Sequence, residues 1–327
     1  MAKILFRCDA GNIKNLGTGH LMRSIFILNY LKKRIKKLDY IFLCKTKNKY
    51  AISKKILLSK KIKYQSIGHE IKIYSYQESK IINKIKPDII IFDQLDKPKK
   101  TFFKEIDKKT KIITIDSQVE KFEGLDLMIN PMNHIIRKQK NILSGFQYNI
   151  ISEQIYNPSK KNKKYKNIFI SFGGFDYKNI VSFVKPIVLK NKHLNFFINS
   201  NFKKKFSDLD NVNFFDYNNY YKIKSKCCIA IISGGITLIE AIYFGIFTIS
   251  IPQYKHQLEN IRNLEKRSLT KLLTINKSSL DFINNFFEND YSKNKLIKKF
   301  KHAQIKFKKN YKGKVVLNKI YKLIKKK

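Results

Sequence analysis

The sequence predicts an α/β protein built on parallel β-sheets and divided into two domains, and three observations carry that expectation. Residues 229–257, IAIISGGITLIEAIYFGIFTISIPQYKHQ, read as an apolar strand, a Gly-Gly turn, a short helix, a glycine stop and a second apolar strand ending at Pro252, which makes one β-α-β unit. Residues 3–8, KILFRC, form a strand that passes through a glycine-containing loop into Leu21, Ile25, Leu28, Leu31 and Ile35, which recur at helical spacing. The chain has 327 residues, more than a single hydrophobic core usually organises.

Composition narrows the function classes. A net charge of +44 would ordinarily point to nucleic acid. The basic residues are almost all lysine, however, and are scattered among abundant Ile, Asn, Phe and Tyr, the profile of an A/T-rich coding bias. Neither a helix-turn-helix nor a basic-aromatic platform is evident, so no specific nucleic-acid partner is expected. The positive field should still help to capture an anionic small molecule. Cys8, Cys44, Cys227 and Cys228 form no CxxC pair and read as thiols of a reducing, cytoplasmic setting. No segment resembles a signal peptide, and no apolar run approaches the roughly 20 residues of a membrane span.

In the first half, Gly17-Thr18-Gly19-His20 joins the opening strand to its helix. Neither GxGxxG nor GxxxxGK[ST] is present, which argues against a dinucleotide fingerprint or a P-loop. His20 sits where loop becomes helix. A helix N-terminus disfavours imidazolium and keeps the ring neutral, as a general base requires; the plain alternative is a first-turn histidine that faces water or caps the helix. Further strands are expected at 40–44, 62–67, 89–92, 111–116 and 127–131. The third of these runs into Asp93, which either faces a substrate, as strand C-termini do in such sheets, or caps a turn. The polar, charged segment 158–164 reads as a hinge, dividing the chain into domains 1–157 and 158–327.

The second half opens with a strand at 168–171 delivering Gly173 and Gly174 to a helix entrance, either for phosphate or sugar contact or as a simple β-α turn. Strands follow at 194–199 and 212–215. Asp208-Leu209-Asp210 between them has DxD spacing but reads as a loop, and no metal is expected. Gly234 and Gly235 allow close backbone approach to a ligand, and the helix behind them offers unpaired N–H groups, a place for a phosphate. Thr237 and Glu240 fit the capping-box spacing; the other reading aims Glu240 at the two hydroxyls of a ribose. His256 and Gln257 are expected on a loop that faces His20 across an interdomain cleft, or simply faces water. Helices should cover 261–272 and 280–287, while His69, His134, His193 and His302 are assigned to the surface. Val315, Val316, Ile320, Leu323 and Ile324 recur at helical spacing against a lysine face, to pack back on the N-terminal domain or make weak contact with an anionic membrane surface.

Two motifs carry a family resemblance. Gly234-Gly235, Thr237, Glu240, Gly245, Pro252 and His256-Gln257 resemble the C-terminal half of the GT-B nucleotide-sugar enzymes, especially the lipid II-forming N-acetylglucosaminyltransferase and its hydrolase relatives. That resemblance implies that Glu240 holds the ribose and that the loop after the second strand approaches the diphosphate or sugar. Arg7-x-Asp9-Ala10, followed by Gly17-Thr18-Gly19-His20-Leu21-Met22-Arg23, closely resembles the opening of the PseG/SpsG-like hydrolases, which act on a UDP-linked diacetamido-trideoxy sugar in pseudaminic-acid synthesis. The family's catalytic histidine falls on His20, with Asp9, Gly17 and Gly19 beside it. Gly145 to Ile151 resembles the family's linker signature and Gly173-Gly174-x-Asp176 its nucleotide-domain opening. Four residues depart from the hydrolase pattern: Leu95 replaces a tyrosine, Ser152 an arginine, Gln154 a glutamate and His256 an asparagine. The resemblance implies a GT-B fold, two Rossmann-like domains with parallel sheets facing across a cleft. It implies a UDP-sugar hydrolase without cofactor, working by inverting attack of water; a glycosyltransferase serving a cell-envelope or lipid-linked acceptor is the alternative.

Overall fold

Runs such as Ile4-Leu5-Phe6 and Ile89-Ile90-Ile91-Phe92 are apolar at consecutive positions, so their strands must be covered on both faces, and strands of this kind pair in parallel. A computed structural model describes residues 2–13, 16–98, 101–116, 124–132, 141–155, 164–216 and 219–325. It divides into two compact units, Met1–Ile151 with Tyr311–Lys327, and Ser152–Asn310. The strands of each form one all-parallel sheet.

The first unit runs β1 (Lys3–Cys8), α1 (Gly19–Lys32), β2 (Asp39–Lys45), α2 (Ala51–Ser59), β3 (Tyr64–Ile67), α3 (Tyr76–Ile85), β4 (Ile89–Asp93), β5 (Lys111–Ile115), β6 (Leu127–Asn130) and β7 (Ile142–Ser144). Its strand order is β3-β2-β1-β4-β5-β6-β7. Successive strand residues point to opposite faces. Ile4, Phe6 and Cys8 therefore pack against Leu21, Ile25 and Leu28 of α1, whereas Leu5, Ile90 and Phe92 pack with Ile82 and Ile85 of α3. The order reverses between β1 and β4, and in such sheets the loops leaving the strand C-termini at the reversal open a crevice.

The second unit runs β8 (Lys164–Ser171), α4 (Ile180–Lys190), β9 (Asn195–Asn199), α5 (Lys203–Phe206), β10 (Val212–Phe215), α6 (Tyr220–Lys224), β11 (Cys227–Ile232), α7 (Ile236–Phe244), β12 (Phe247–Ser250), α8 (Lys255–Lys266), β13 (Lys271–Leu272), α9 (Lys277–Glu288) and α10 (Asp290–Lys309). Its order is β10-β9-β8-β11-β12-β13, reversing between β8 and β11. Ile168 and Ile170 meet Val181 and Val184 of α4 and Ile283 and Phe287 of α9 on one face. On the other, Phe169 stacks on Phe215 at 4.8 Å.

Three expectations need correction. The helix expected at 261–272 starts at Lys255 and ends at Lys266, because Ser268 turns left-handed at φ 53° and the chain then enters the edge strand β13. The division between units falls after Ile151 rather than after residue 157, and residues 311–327 belong with the first unit. α11 (Gly313–Lys325) buries Val316, Leu317, Ile320 and Ile324 in the cluster that contains Ile4, Phe6 and Leu28. The apolar stripe considered for a membrane surface is therefore occupied inside the first unit. Lys111 Nζ also donates to Leu323 O at 2.9 Å, and Lys312 N to Gln147 O at 2.7 Å. The hinge segment short of Lys164, and His134, lie outside the described residues. Among those described, no helix is long and apolar enough to cross a membrane.

Candidate active site

His20 is the second residue of α1, so the loop from β1 delivers it to the crevice of the first sheet. Its ring Nδ1 lies 2.7 Å from Oδ1 of Asp93, the last residue of β4 and the register partner of Cys8 on β1. Arg23 is three residues further along α1, a spacing that puts it on the same helix face as His20. Its Nε donates to Asp93 Oδ2 at 2.8 Å, and its Nη2 donates to Asp93 Oδ1 at 2.5 Å and to Asp116 Oδ2 at 2.5 Å. Asp116 directly follows β5. Burial by itself would raise the Asp93 carboxyl, but the charge and hydrogen bonds of Arg23, with those of His20, outweigh it and hold the group below the usual carboxylate range. An ionised carboxylate at Nδ1 accepts a hydrogen bond from the Nδ1–H and leaves Nε2 as the ring's acceptor. The His20 side chain keeps 13% of its surface exposed, so the pair can receive a proton from a hydroxyl or a water.

Asp93 is thus not a substrate-facing residue. It is fully buried, with both oxygens committed to His20 and Arg23. Its depressed native value means that the stability it contributes is fully present above the unfolded value of about 3.9 and is lost as pH falls through the lower native one. The stability gap between wild type and Asp93→Asn should therefore be widest above about pH 4 and narrow below it. Urea unfolding at a series of pH values checks this; a gap that does not change with pH contradicts it.

His20, Asp93 and Asp116 each bring a ligand atom within 4.8 Å of the others, a grouping that could hold a metal ion. The counter-charge between the two carboxylates is the Arg23 guanidinium, which bonds to both. Asp9 also differs from expectation. It is buried, accepts from Lys45 N at 2.7 Å and pairs with Arg7 at 2.8 Å, while Arg7 also bonds Glu78 at 2.6 Å. Asp9 therefore anchors the start of the loop instead of reaching a ligand. Gly17 closes that loop by accepting from Gly11 N at 3.3 Å, and Gly19 opens α1 behind Thr18, whose side chain makes no capping bond.

In the second sheet the two glycine turns leave β8 and β11, the strands between which the order reverses. Gly173 has φ +80° and Gly235 φ +118°, and an added Cβ at either would meet no atom within 4 Å. Backbone conformation demands glycine there, and the space above each turn is open. Gly234 is a packing glycine, since a Cβ would come within 2.9 Å of Gln257 Cβ on α8. Gln253 ties the turns together. Its Nε2 donates to Phe172 O at 2.7 Å, its Oε1 accepts from Tyr177 N at 2.6 Å, and its backbone N–H donates to Gln257 Oε1 at 2.9 Å. Gly174 lies in the span that Gln253 braces, and Asp176 caps α4 by accepting from Ile180 N and Val181 N at 2.9 and 2.8 Å. Burial lifts the Asp176 carboxyl above its ordinary value despite those two bonds. His256 and Gln257 occupy the first turn of α8, not a loop, and the His256 ring stacks on Tyr254 at 5.6 Å.

Glu240 does not act as a helix cap. Gly235 holds the N-cap position of α7 without a side-chain cap, and Glu240 makes no return bond to the helix start. Its carboxylate is buried and bonds Lys224 Nζ at 2.9 Å, Tyr221 Oη at 3.0 Å and Tyr220 Oη at 3.2 Å. Thr237 contributes its backbone carbonyl, which accepts from Lys224 Nζ at 3.2 Å. Sequence reasoning missed Arg23, Asp116, Gln253 and Lys224. Arg23 and Asp116 had a usable signal, one lying a helical turn beyond His20 and the other ending an apolar strand as Asp93 does; Gln253 and Lys224 had none.

No protein-family model matches the chain. The uncharacterized protein MJ1062 of Methanocaldococcus jannaschii is 27% identical over 277 residues, covering 75% of this chain and 54% of that protein, so the chain spans about half the length of this relative. Among solved structures, MurG of Acinetobacter baumannii aligns over 100% of both chains with TM-score 0.64 at 12% identity. The spinosyn rhamnosyltransferase SpnG aligns over 100% of both with TM-score 0.64 at 11% identity. The chain has the GT-B fold. MnaA of S. aureus, solved with UDP, matches the same GT-B architecture with TM-score 0.61 at 13% identity over 99% and 97% of the two chains. Within this GT-B fold, the acid–imidazole pair stands at the reversal point of the first sheet and the glycine turns at that of the second.

Proposed function

We propose that this protein processes nucleotide-sugars, and that it acts as a hydrolase releasing UDP from a UDP-linked sugar of the diacetamido-trideoxy class for surface-glycan or nonulosonic-acid synthesis. The observation that carries this reading is the bond from His20 Nδ1 to buried Asp93, which makes Nε2 the proton acceptor. Water gives a proton to Nε2 as its oxygen bonds to the anomeric carbon. The bond from that carbon to the diphosphate oxygen breaks, and UDP departs with the electron pair. Because water enters opposite the leaving group, the configuration inverts. The open turns at Gly173 and Gly235 offer the diphosphate exposed backbone and the N-terminus of α7, with Gly174 and Gly234 beside them. The nucleotide class is supported by the neighbours solved with UDP or thymidine diphosphate. The base and sugar rest on the motif from Arg7 to Arg23.

A second reading, transfer of the sugar to an acceptor hydroxyl, is favoured by Leu95 and His256, by Ser152, and by neighbours named as glycosyltransferases. Incubation with UDP-activated diacetamido sugars separates the two. UDP release with no acceptor present is the expected result. A donor that survives alone but is consumed once a cell-envelope acceptor is added selects transfer, and a donor intact under both conditions refutes both readings.

A further inference from the structure

We infer that Asp116 and Arg23 are positioning residues that select the tautomer of His20, an inference that rests on His20 being the base. Arg23 is 4% exposed, and its Nη2 carries two protons. One goes to Asp93 Oδ1 and the other to Asp116 Oδ2. The same Nη2 lies 3.2 Å from His20 Nδ1. Two donors therefore surround Asp93 Oδ1 while Nδ1 keeps its proton. If the second Nη2 proton were released from Asp116, it could donate to Nδ1 instead, which would require a bare Nδ1 and a proton on Nε2. That tautomer has no acceptor at the nitrogen the reaction uses.

Asp116 is built to hold that proton. It sits at φ +59°, a left-handed conformation uncommon outside glycine and tolerated best by Asn and Asp. Its backbone N–H is fixed to Ile129 O at 2.9 Å, and its carboxylate is turned onto Arg23. Asp93 and Asp116 end adjacent parallel strands, so the guanidinium is clamped from two neighbouring positions of one sheet edge. The helix face and the two strand ends meet here through Arg23, and removing either carboxylate changes which nitrogen of His20 is addressed.

The test uses the full chain with 15N-labelled histidine. Long-range 1H–15N correlations of the six histidines report each tautomer, and His20 is assigned by its absence in His20→Asn. Wild type should show the proton on Nδ1. Asp116→Ala should raise the Nε2–H population measurably above wild type and lower kcat in proportion while KM stays within about two-fold. Arg23→Met combined with Asp116→Ala, which removes the competing donor, should return the proton to Nδ1. If Asp116→Ala fails to fold, Asp116→Asn, which keeps volume and one acceptor, should shift the tautomer partway in the same direction. An unchanged tautomer in a folded Asp116 variant overturns the inference, whatever the turnover. A shifted tautomer in a protein that cleaves no UDP-sugar leaves the positioning role standing and removes the proposed reaction, so the two failures are distinguishable.

Discussion

Asparagine in place of His20 is expected to abolish turnover while leaving UDP affinity within about two-fold of wild type. General-base assistance is worth about 10²- to 10⁴-fold, and at the upper end of that range the residual activity falls below detection in a release assay. Asparagine suits the test because its amide can still donate to Asp93, preserving the buried acceptor's partner while offering no basic nitrogen. Arg23 retains its bonds to Asp93 and Asp116, so the crevice keeps its frame. Nucleotide contacts, assigned to the glycine turns of the other unit, should be untouched. Calorimetric titration with UDP beside single-turnover kinetics decides the matter. A variant that loses affinity and turnover together would make His20 a structural residue.

Replacement of Glu240 by alanine should destabilise the second unit by about 3–5 kcal/mol, the cost of stranding a buried charge. Lys224 has no exposed surface, and burial already pushes its ammonium below the usual lysine value against the support of Glu240. Without that carboxylate the lysine loses its ion partner, and the hydroxyls of Tyr220 and Tyr221 lose their acceptor. A fall of the melting temperature on the order of 10 °C is expected for a unit of this size. Pairing Glu240→Met with Lys224→Met should recover much of the loss, because an apolar pair of similar volume carries no desolvation penalty. Thermal unfolding of the two variants checks this. If Glu240→Ala melts like wild type yet binds UDP weakly, the glutamate belongs to the ribose.

The contrast between Glu240 and Gly235 shows what could be read in the sequence. The glycine turn after the apolar run 229–232 was legible because strand, turn and helix are local, and the structure places it at the expected strand end. Thr237 and Glu240 have the spacing of a local cap, but the carboxylate goes to Lys224, 16 residues earlier in the chain, where a buried ammonium competes more strongly than a backbone N–H. The same limit applies at His20. Its position at a helix entrance followed from the loop and the apolar spacing, whereas Arg23 and Asp116 meet across 93 residues, a pairing that only the register of β4 and β5 creates. His256 illustrates a boundary error: Pro252 suggested a continuing loop, but α8 begins three residues after it.

α11 belongs to the first unit although 159 residues of the second, Ser152–Asn310, are made before it. During synthesis on a ribosome the later unit is therefore complete first, while the earlier one waits for Val316, Leu317, Ile320 and Ile324 to fill its core. Until those side chains emerge, Leu28 and its neighbours face water, so a stalled or nicked nascent chain would present chaperones with a half-open sheet that carries the imidazole but lacks its final helix.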